Sequence, residues 1–88
     1  MIFHLTPHAI SRITERNIPD PNNVKIRVTG RKTRKTLRER CKSFNHREFI
    51  YFSSGFKDIY VCKQIDVGEY LVITAFNISD YGEKSILT

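Results

Sequence analysis

The fold of this chain is decided by residues 58–76, DIYVCKQIDVGEYLVITAF. Two apolar runs, 58–65 and 70–76, flank the turn-forming tetrad Asp66-Val67-Gly68-Glu69, which predicts two strands of an antiparallel sheet joined by a short connection. The run 70–76 is the most apolar in the chain, as expected of a central strand covered on both faces. A third strand is predicted over residues 48–52, which end at a Ser-Ser-Gly turn.

A helix is predicted over residues 7–16. Thr6 is a suitable N-cap, and Pro7 fits the first helical position because its missing N–H is not needed there. Asn17 can adopt the left-handed conformation that ends helices, and Pro19 prevents continuation. These local signals agree, so the helix and its bounds follow from the sequence alone.

The segment that follows, residues 20–30, is compatible with two structures. Asp20-Pro21 repeats the cap-then-proline signature, and Gly30 would end a second helix. Its apolar residues instead alternate as in a strand, at Val24, Ile26 and Val28. The caps favour a short helix. For the basic residues 31–42, repulsion between like charges predicts a mobile loop running into an edge strand.

The predicted helices precede the predicted strands, and this order indicates an α+β fold for one domain over residues 1–88. We expect one or two N-terminal helices packed on a three- to four-stranded antiparallel sheet. The length, 88 residues, excludes a two-domain enzyme with its own cofactor fold. No apolar run reaches the 18–20 residues of a membrane span, and the first residues do not resemble a secretory signal.

Positive charge is concentrated in one segment. The chain carries 15 Lys and Arg against 9 Asp and Glu, a net charge of +6. Residues 25–47 hold ten of the basic groups and a single acid, Glu39, a local charge of +9, so the rest of the chain sums to −3. Such a concentration of positive charge predicts an anionic partner, in the first place a nucleic acid. Five residues are expected to make the main contacts with it. They are Arg31, Lys32, Arg34, Lys35 and Arg38.

The first helix carries a candidate catalytic group. At 100° per residue its apolar stripe is expected between Ile10 and Ile13, which puts His8 on the opposite, polar face. Arg12 and Arg16 follow His8 at i+4 and i+8, so one exposed ridge is expected to hold all three. An imidazole suits proton transfer, and guanidinium groups suit phosphoryl oxygens. This combination is what metal-free cleavage of an RNA backbone requires.

Other groups are weaker candidates. His46, beside Arg47, is a possible second acid or base, and Tyr81 is the aromatic residue expected to be exposed for base stacking. Cys41 and Cys62 have neither zinc-ligand spacing nor a disulfide pattern. With no metal-ligand set, phosphate loop or Ser-His-Asp pattern, we expect no metal and no cofactor.

The opening Thr6-Pro7-His8-Ala9, followed by Arg12, Arg16 and Ile18, resembles a family of small bacterial domains with a His-Ala-x-x-Arg-x-x-x-Arg-x-Ile pattern. These domains occur in toxin–antitoxin settings and at the C-termini of polymorphic and contact-dependent growth-inhibition toxins. They are similar to the barnase–EndoU–colicin–RelE (BECR) group of metal-independent ribonucleases, in which N-terminal helices pack on an antiparallel sheet. The resemblance implies cleavage of tRNA or other RNA, restrained by an immunity protein or antitoxin. It also implies that Thr74 occupies a strand position that often holds a polar active-site residue.

The sequence therefore predicts a toxin-type endoribonuclease that acts in the cytoplasm, either as a separate chain or as the C-terminal domain of a delivered toxin. His8 would be the base or acid, Arg12 and Arg16 would bind phosphate, and Thr74 would add a hydrogen bond. The expected product is a 2′,3′-cyclic phosphate. Two alternatives remain: a non-catalytic nucleic-acid-binding module, and a basic interaction or inhibitor protein that binds an acidic protein.

Overall fold

A five-stranded mixed sheet with a helix on each face forms in residues 1–40, 47–55 and 57–78, the parts of the chain that the computed structural model describes. In chain order the elements are β1 (Ile2–Leu5), α1 (Pro7–Glu15), a 3₁₀ turn (Pro21–Asn23), β2 (Ile26–Val28), α2 (Arg31–Arg40), β3 (Phe49–Ser54), β4 (Asp58–Asp66) and β5 (Glu69–Asn77). The strand order is β1-β5-β4-β3-β2. Neighbours run antiparallel except β1, which is parallel to β5.

The predicted α+β class, the first helix and the three predicted strands are confirmed. Asn17 has the expected left-handed conformation, with a φ of 54°. β5 lies inside the sheet between β1 and β4, as its apolar sequence predicted. The sheet itself differs from the expectation, because it has five strands rather than three or four and is mixed: Ile2–Leu5 pairs in parallel with Glu69–Val72.

The prediction of a loop for the basic segment was wrong over residues 31–40, which form α2; residues 41 and 42 lie outside the described residues. Leu37 anchors this helix, since its side chain is fully buried against the sheet. Most of the charged residues project around that anchor towards water, where their mutual repulsion is screened. The burial of one leucine therefore stabilises this helix more than the repulsion between its charges destabilises it.

The prediction of a short helix after Asp20-Pro21 was also wrong beyond the first turn. Asp20 does cap, accepting a hydrogen bond from the Asn22 N–H at 2.9 Å, but the 3₁₀ turn ends at Asn23. Residues 26–28 then pair with β3, so the alternation of apolar residues was the correct signal.

The sheet separates two hydrophobic cores. Ala9 of α1 packs with Phe52, Tyr60 and Val72 on one face, whereas Leu37 of α2 packs with five residues on the other. These five are Tyr51, Ile59, Val61, Phe76 and Ile78. Adjacent residues in β3 and β4 belong to different cores, as the alternation of side chains along a strand requires. The two helices therefore lie on opposite faces of the sheet.

The outer edge of β1 is capped by a side chain rather than by another strand. The Asn22 side chain accepts a hydrogen bond from the Phe3 N–H at 2.9 Å and donates one to the Phe3 carbonyl at 2.8 Å. It thus satisfies the two backbone groups of Phe3 that face away from β5 and blocks this edge against further pairing. In the described residues, no helix has the length and apolar character needed to cross a membrane.

Candidate functional site

The start of helix α1 is fixed to β5 through Thr6. Its hydroxyl accepts a hydrogen bond from the Ala9 N–H at 3.1 Å, as an N-cap does, and donates to the Val72 carbonyl at 3.0 Å. β5 has an irregularity here, because Val61 pairs with Thr74 while Cys62 pairs with Val72. The extra residue, Ile73, forms a β-bulge, a feature that redirects backbone groups beside functional sites.

The end of the same helix is fixed to β5 through Arg16. The guanidinium Nη1 donates a hydrogen bond to the Ala75 carbonyl at 2.8 Å. Thr6 and Arg16 therefore hold α1 at both ends, so that its polar face has a defined orientation. A guanidinium has five N–H donors, and this bond uses one of them.

The face that α1 packs on the sheet is displaced from the predicted one. Ala9 is fully buried and Ile13 is half-buried, whereas Ile10 is 51% exposed. Ala9, Ile13 and Arg16 follow the i, i+4, i+7 row of one helix face. This spacing is why Arg16 reaches the sheet instead of extending the ridge of His8 and Arg12.

His8 and Arg12 remain together at the protein surface. Nε of Arg12 lies 3.5 Å from Nε2 of His8, and the His8 side chain is exposed. Arg12 also forms an ion pair with Glu15 through Nη1 at 3.1 Å. The site thus offers an accessible imidazole, which can accept or donate a proton, next to a guanidinium that can bind a phosphoryl oxygen.

The basic residues predicted to grip RNA lie on α2. Arg31, Lys32 and Lys35 are exposed, and Arg34 is half-buried. Arg38 is partly enclosed, with Nη2 3.4 Å from the Phe49 carbonyl and a buried Nε that has no hydrogen-bond partner in the part of the chain described. None of the five forms an ion pair with an acid among the described residues, so the charge of these five residues is available to an anionic partner.

The structure does not bring all the predicted site residues together. His8 and Arg12 lie on the α1 side of the sheet and the basic helix lies on the other, so the two groups do not share a surface. Thr74 is 3% exposed and pairs with Val61, a residue of the α2-side core. It is therefore separated from His8 by the sheet.

Two further candidates, His46 and Tyr81, lie outside the described residues. Within the described ranges, no three His, Cys, Asp or Glu side chains are grouped as metal ligands would be. The contacts that sequence analysis missed are those of Thr6 and Arg16 with β5, although the i, i+4, i+7 spacing of Ala9, Ile13 and Arg16 is visible in the sequence.

No protein-family model matches this chain, and no curated protein or solved structure was found to be similar to it.

Proposed function

We propose that this protein is an endoribonuclease of the toxin type, with His8 and Arg12 at its catalytic site. The observation that supports this most directly is the pairing of an exposed imidazole with a guanidinium, Nε2 of His8 and Nε of Arg12 being 3.5 Å apart. α1 is held at both ends by β5, which gives the pair the fixed orientation that catalysis needs. The resemblance of residues 6–18 to BECR-like toxin domains points to the same activity.

In this mechanism His8 accepts the proton of a ribose 2′-hydroxyl. The 2′-oxygen attacks the adjacent phosphorus as the bond from phosphorus to the 5′-oxygen breaks. The departing 5′-oxygen takes a proton from water, which leaves a 2′,3′-cyclic phosphate and a 5′-hydroxyl, and protonated His8 gives its proton to the resulting hydroxide. Arg12 stabilises the additional negative charge of the five-coordinate phosphorus, where a preorganised charge has its largest effect. Arg16 supports this mechanism by holding α1 on β5, through its hydrogen bond to the Ala75 carbonyl.

The basic helix binds a different segment of the RNA. Because α2 lies across the sheet from His8, an RNA that contacts both must pass around an edge of the sheet. This arrangement favours a folded substrate such as tRNA over a short single strand. We propose that the protein acts in the cytoplasm, where it is neutralised by an immunity protein or antitoxin.

The test incubates total RNA with the wild type, His8→Ala, Arg12→Ala and His4→Ala in the presence of a chelator. His4 is the matched control because it is also exposed, but its Nε2 contacts Glu69 at 3.0 Å, away from α1. Wild type and His4→Ala should yield discrete fragments with 2′,3′-cyclic ends. His8→Ala should lose at least about 100-fold in rate, as expected for loss of general acid–base catalysis. Equal rates for His8→Ala and wild type, or activity lost with EDTA and restored by Mg²⁺, would contradict the proposal.

The second candidate is an RNA-binding protein without catalysis, favoured by the separation of the basic helix from His8. In that case wild-type protein leaves RNA intact, and binding survives His8→Ala. Neutralising several phosphates should also make the affinity fall steeply with salt. Weak affinity with little salt dependence would instead indicate an acidic protein as the partner of α2.

A further inference from the structure

A pocket of about 270 Å³ opens on the α2 side of the sheet, where the start of α2 meets strands β2 and β3. Part of its lining is apolar and includes Ile59 and Ile78. Its polar side chains are Arg27, Thr29, Thr33 and Ser53. No acidic side chain of the described residues lines it, so its polar lining is suited to an anion.

The N-terminus of α2 borders this pocket, whose lining includes Gly30 and Thr33. The Gly30 carbonyl accepts a hydrogen bond from the Arg34 N–H at 2.9 Å, which begins the helix, but a glycine has no side chain with which to cap it. In the described ranges nothing accepts a hydrogen bond from the N–H groups of residues 31–33. These donors and the positive end of the helix dipole both favour a bound anion.

Ser53 provides independent support for a ligand. It is 8% exposed and lies in register between Arg27 and Ile59, so its side chain faces the α2 side and lines the pocket. Its hydroxyl has no hydrogen-bond partner within the described part of the chain. The hydroxyl is accessible from the pocket, so it is free to form a hydrogen bond with a molecule that enters. The Thr33 hydroxyl, half-buried in the first turn of α2, is unpaired in the same way.

The charge around the pocket points to the same class of ligand. The first residues of α2 are basic, with Arg31, Lys32 and Arg34 near its N-terminus and no acid in the first turn. Positive side chains are disfavoured at this end of a helix because the dipole repels them. A bound dianion would offset that repulsion.

We propose that this pocket binds the phosphate group of a nucleotide. The donors are the Ser53 and Thr33 hydroxyls and the backbone N–H groups at the start of α2. The site goes beyond the proposed cleavage at His8 and does not depend on it, because the two lie on opposite sides of the sheet.

The first experiment titrates ¹⁵N-labelled protein with inorganic phosphate at constant ionic strength, with potassium chloride as the reference salt, and follows amide shifts by NMR. We expect saturable shifts centred on residues 30–33 and 53. Ser53→Ala and Thr33→Val should each weaken binding about tenfold, since each removes a hydrogen bond to a charged group. Thr33→Ser, which keeps the hydroxyl, should bind as the wild type does.

Thr36→Val is the matched control for Thr33→Val. It makes the same replacement on the same helix, but the Thr36 hydroxyl donates to the Lys32 carbonyl at 3.1 Å and does not line the pocket. Its affinity for phosphate should be unchanged. Shifts that spread over all basic residues without saturating, or equal binding by Thr33→Val and wild type, would overturn the proposal.

The second experiment identifies the source of the phosphate. A 5′-mononucleotide should shift the same amides as phosphate, whereas the corresponding nucleoside should not; equal shifts with both would overturn the proposal. Tighter binding of a short RNA that carries a 5′-phosphate than of the same RNA with a 5′-hydroxyl would support the site and identify the end of an RNA chain as its ligand. Equal binding of the two RNAs, weakened by Ser53→Ala, would also support the site and identify the RNA backbone as its ligand. His8→Ala should bind phosphate as the wild type does, so failure of the cleavage hypothesis would leave this result intact.

Discussion

Arg16 donates a hydrogen bond from its guanidinium to the carbonyl of Ala75, 59 positions further along the chain, at 2.8 Å. The bond joins the end of α1 to β5, whereas Thr6 joins its start to the same strand. An arginine predicted to bind phosphate is therefore also part of the attachment that orients His8. Loss of activity on mutating Arg16 would consequently have a structural component.

Arg16→Ala is expected to lower the free energy of unfolding by about 1–2 kcal/mol, because a charged hydrogen bond to a carbonyl is removed at a partly buried site. Arg12→Ala is the control, since Arg12 pairs with Glu15 on the helix surface and such pairs contribute little. Denaturant unfolding of both variants measures the difference. Equal stability of the two would contradict the structural role of Arg16.

Leu37→Ala should detach α2 from the sheet. Leu37 is the one residue of this helix that is fully buried, and removing such a side chain costs about 2–5 kcal/mol. Lys35→Ala, an exposed change on the same helix, should be nearly neutral. Thermal unfolding followed by circular dichroism distinguishes them, and a Leu37→Ala variant as stable as Lys35→Ala would show that α2 is held by other contacts.

Asn22→Ala is expected to expose the edge of β1. The variant loses both hydrogen bonds to Phe3, and an unpaired strand edge promotes association between copies. Asn23→Ala, at the neighbouring exposed position, is the control. Light scattering during a concentration series should show association for Asn22→Ala alone; two equally monodisperse variants would argue against edge protection by Asn22.

Tyr60 should contribute to loss of stability in alkaline solution. Burial, followed by the charge of Asp58, raises the pKa of its phenol above the ordinary value of 10.0. Above pH 10 the unfolded chain releases this proton while the folded chain keeps it, so the free energy of unfolding falls as the pH rises towards the folded pKa. Tyr60→Phe should remove this part of the decline.

The same variant should be less stable by about 1 kcal/mol at pH 7, because it loses the hydrogen bond to the Pro19 carbonyl. The check is to measure denaturant unfolding of wild type and Tyr60→Phe between pH 7 and pH 11. The two stability curves should converge above pH 10, whereas parallel curves would exclude Tyr60 as a source of the decline.

Cys62 should react with thiol reagents only when the fold opens. It is fully buried in the core on the α1 side, and burial raises the pKa of its thiol to about 12, so the reactive thiolate is scarce at neutral pH. A Cys41→Ser background isolates this thiol for measurement with a chromogenic disulfide. Modification should follow unfolding by denaturant; rapid modification of native protein would indicate that this core opens locally.

Local signals were sufficient for part of this fold. The Thr6-Pro7 start and the Asn17 end are contained in a few neighbouring residues, and they predicted α1 to within one residue. The strands over 48–52, 58–65 and 70–76 were likewise marked by apolar composition and by turns. In each of these elements the chain's preference and its packing agree.

Long-range contacts account for what was missed. β1 has four residues and pairs with a strand 67 positions away, as in Ile2 with Glu69, so no periodicity of its own could reveal it. α2 depends on the burial of Leu37, which the charge around it obscured. The candidate catalytic site was predicted in part, because His8 and Arg12 are adjacent but Arg16 turns to the sheet. The unpaired Ser53 hydroxyl of the pocket becomes apparent only once β2, β3 and α2 are assembled.

The parallel pairing of β1 with β5 also has a consequence for biosynthesis. β5, the strand to which both ends of α1 are attached, is the last of the described elements to be translated, so the nascent helix lacks these attachments until β5 has left the ribosome. Premature termination before residue 69 would therefore yield chains with His8 on an unanchored helix. If the proposed toxin activity harms the cell that makes the protein, this late assembly limits the harm that incomplete copies can do.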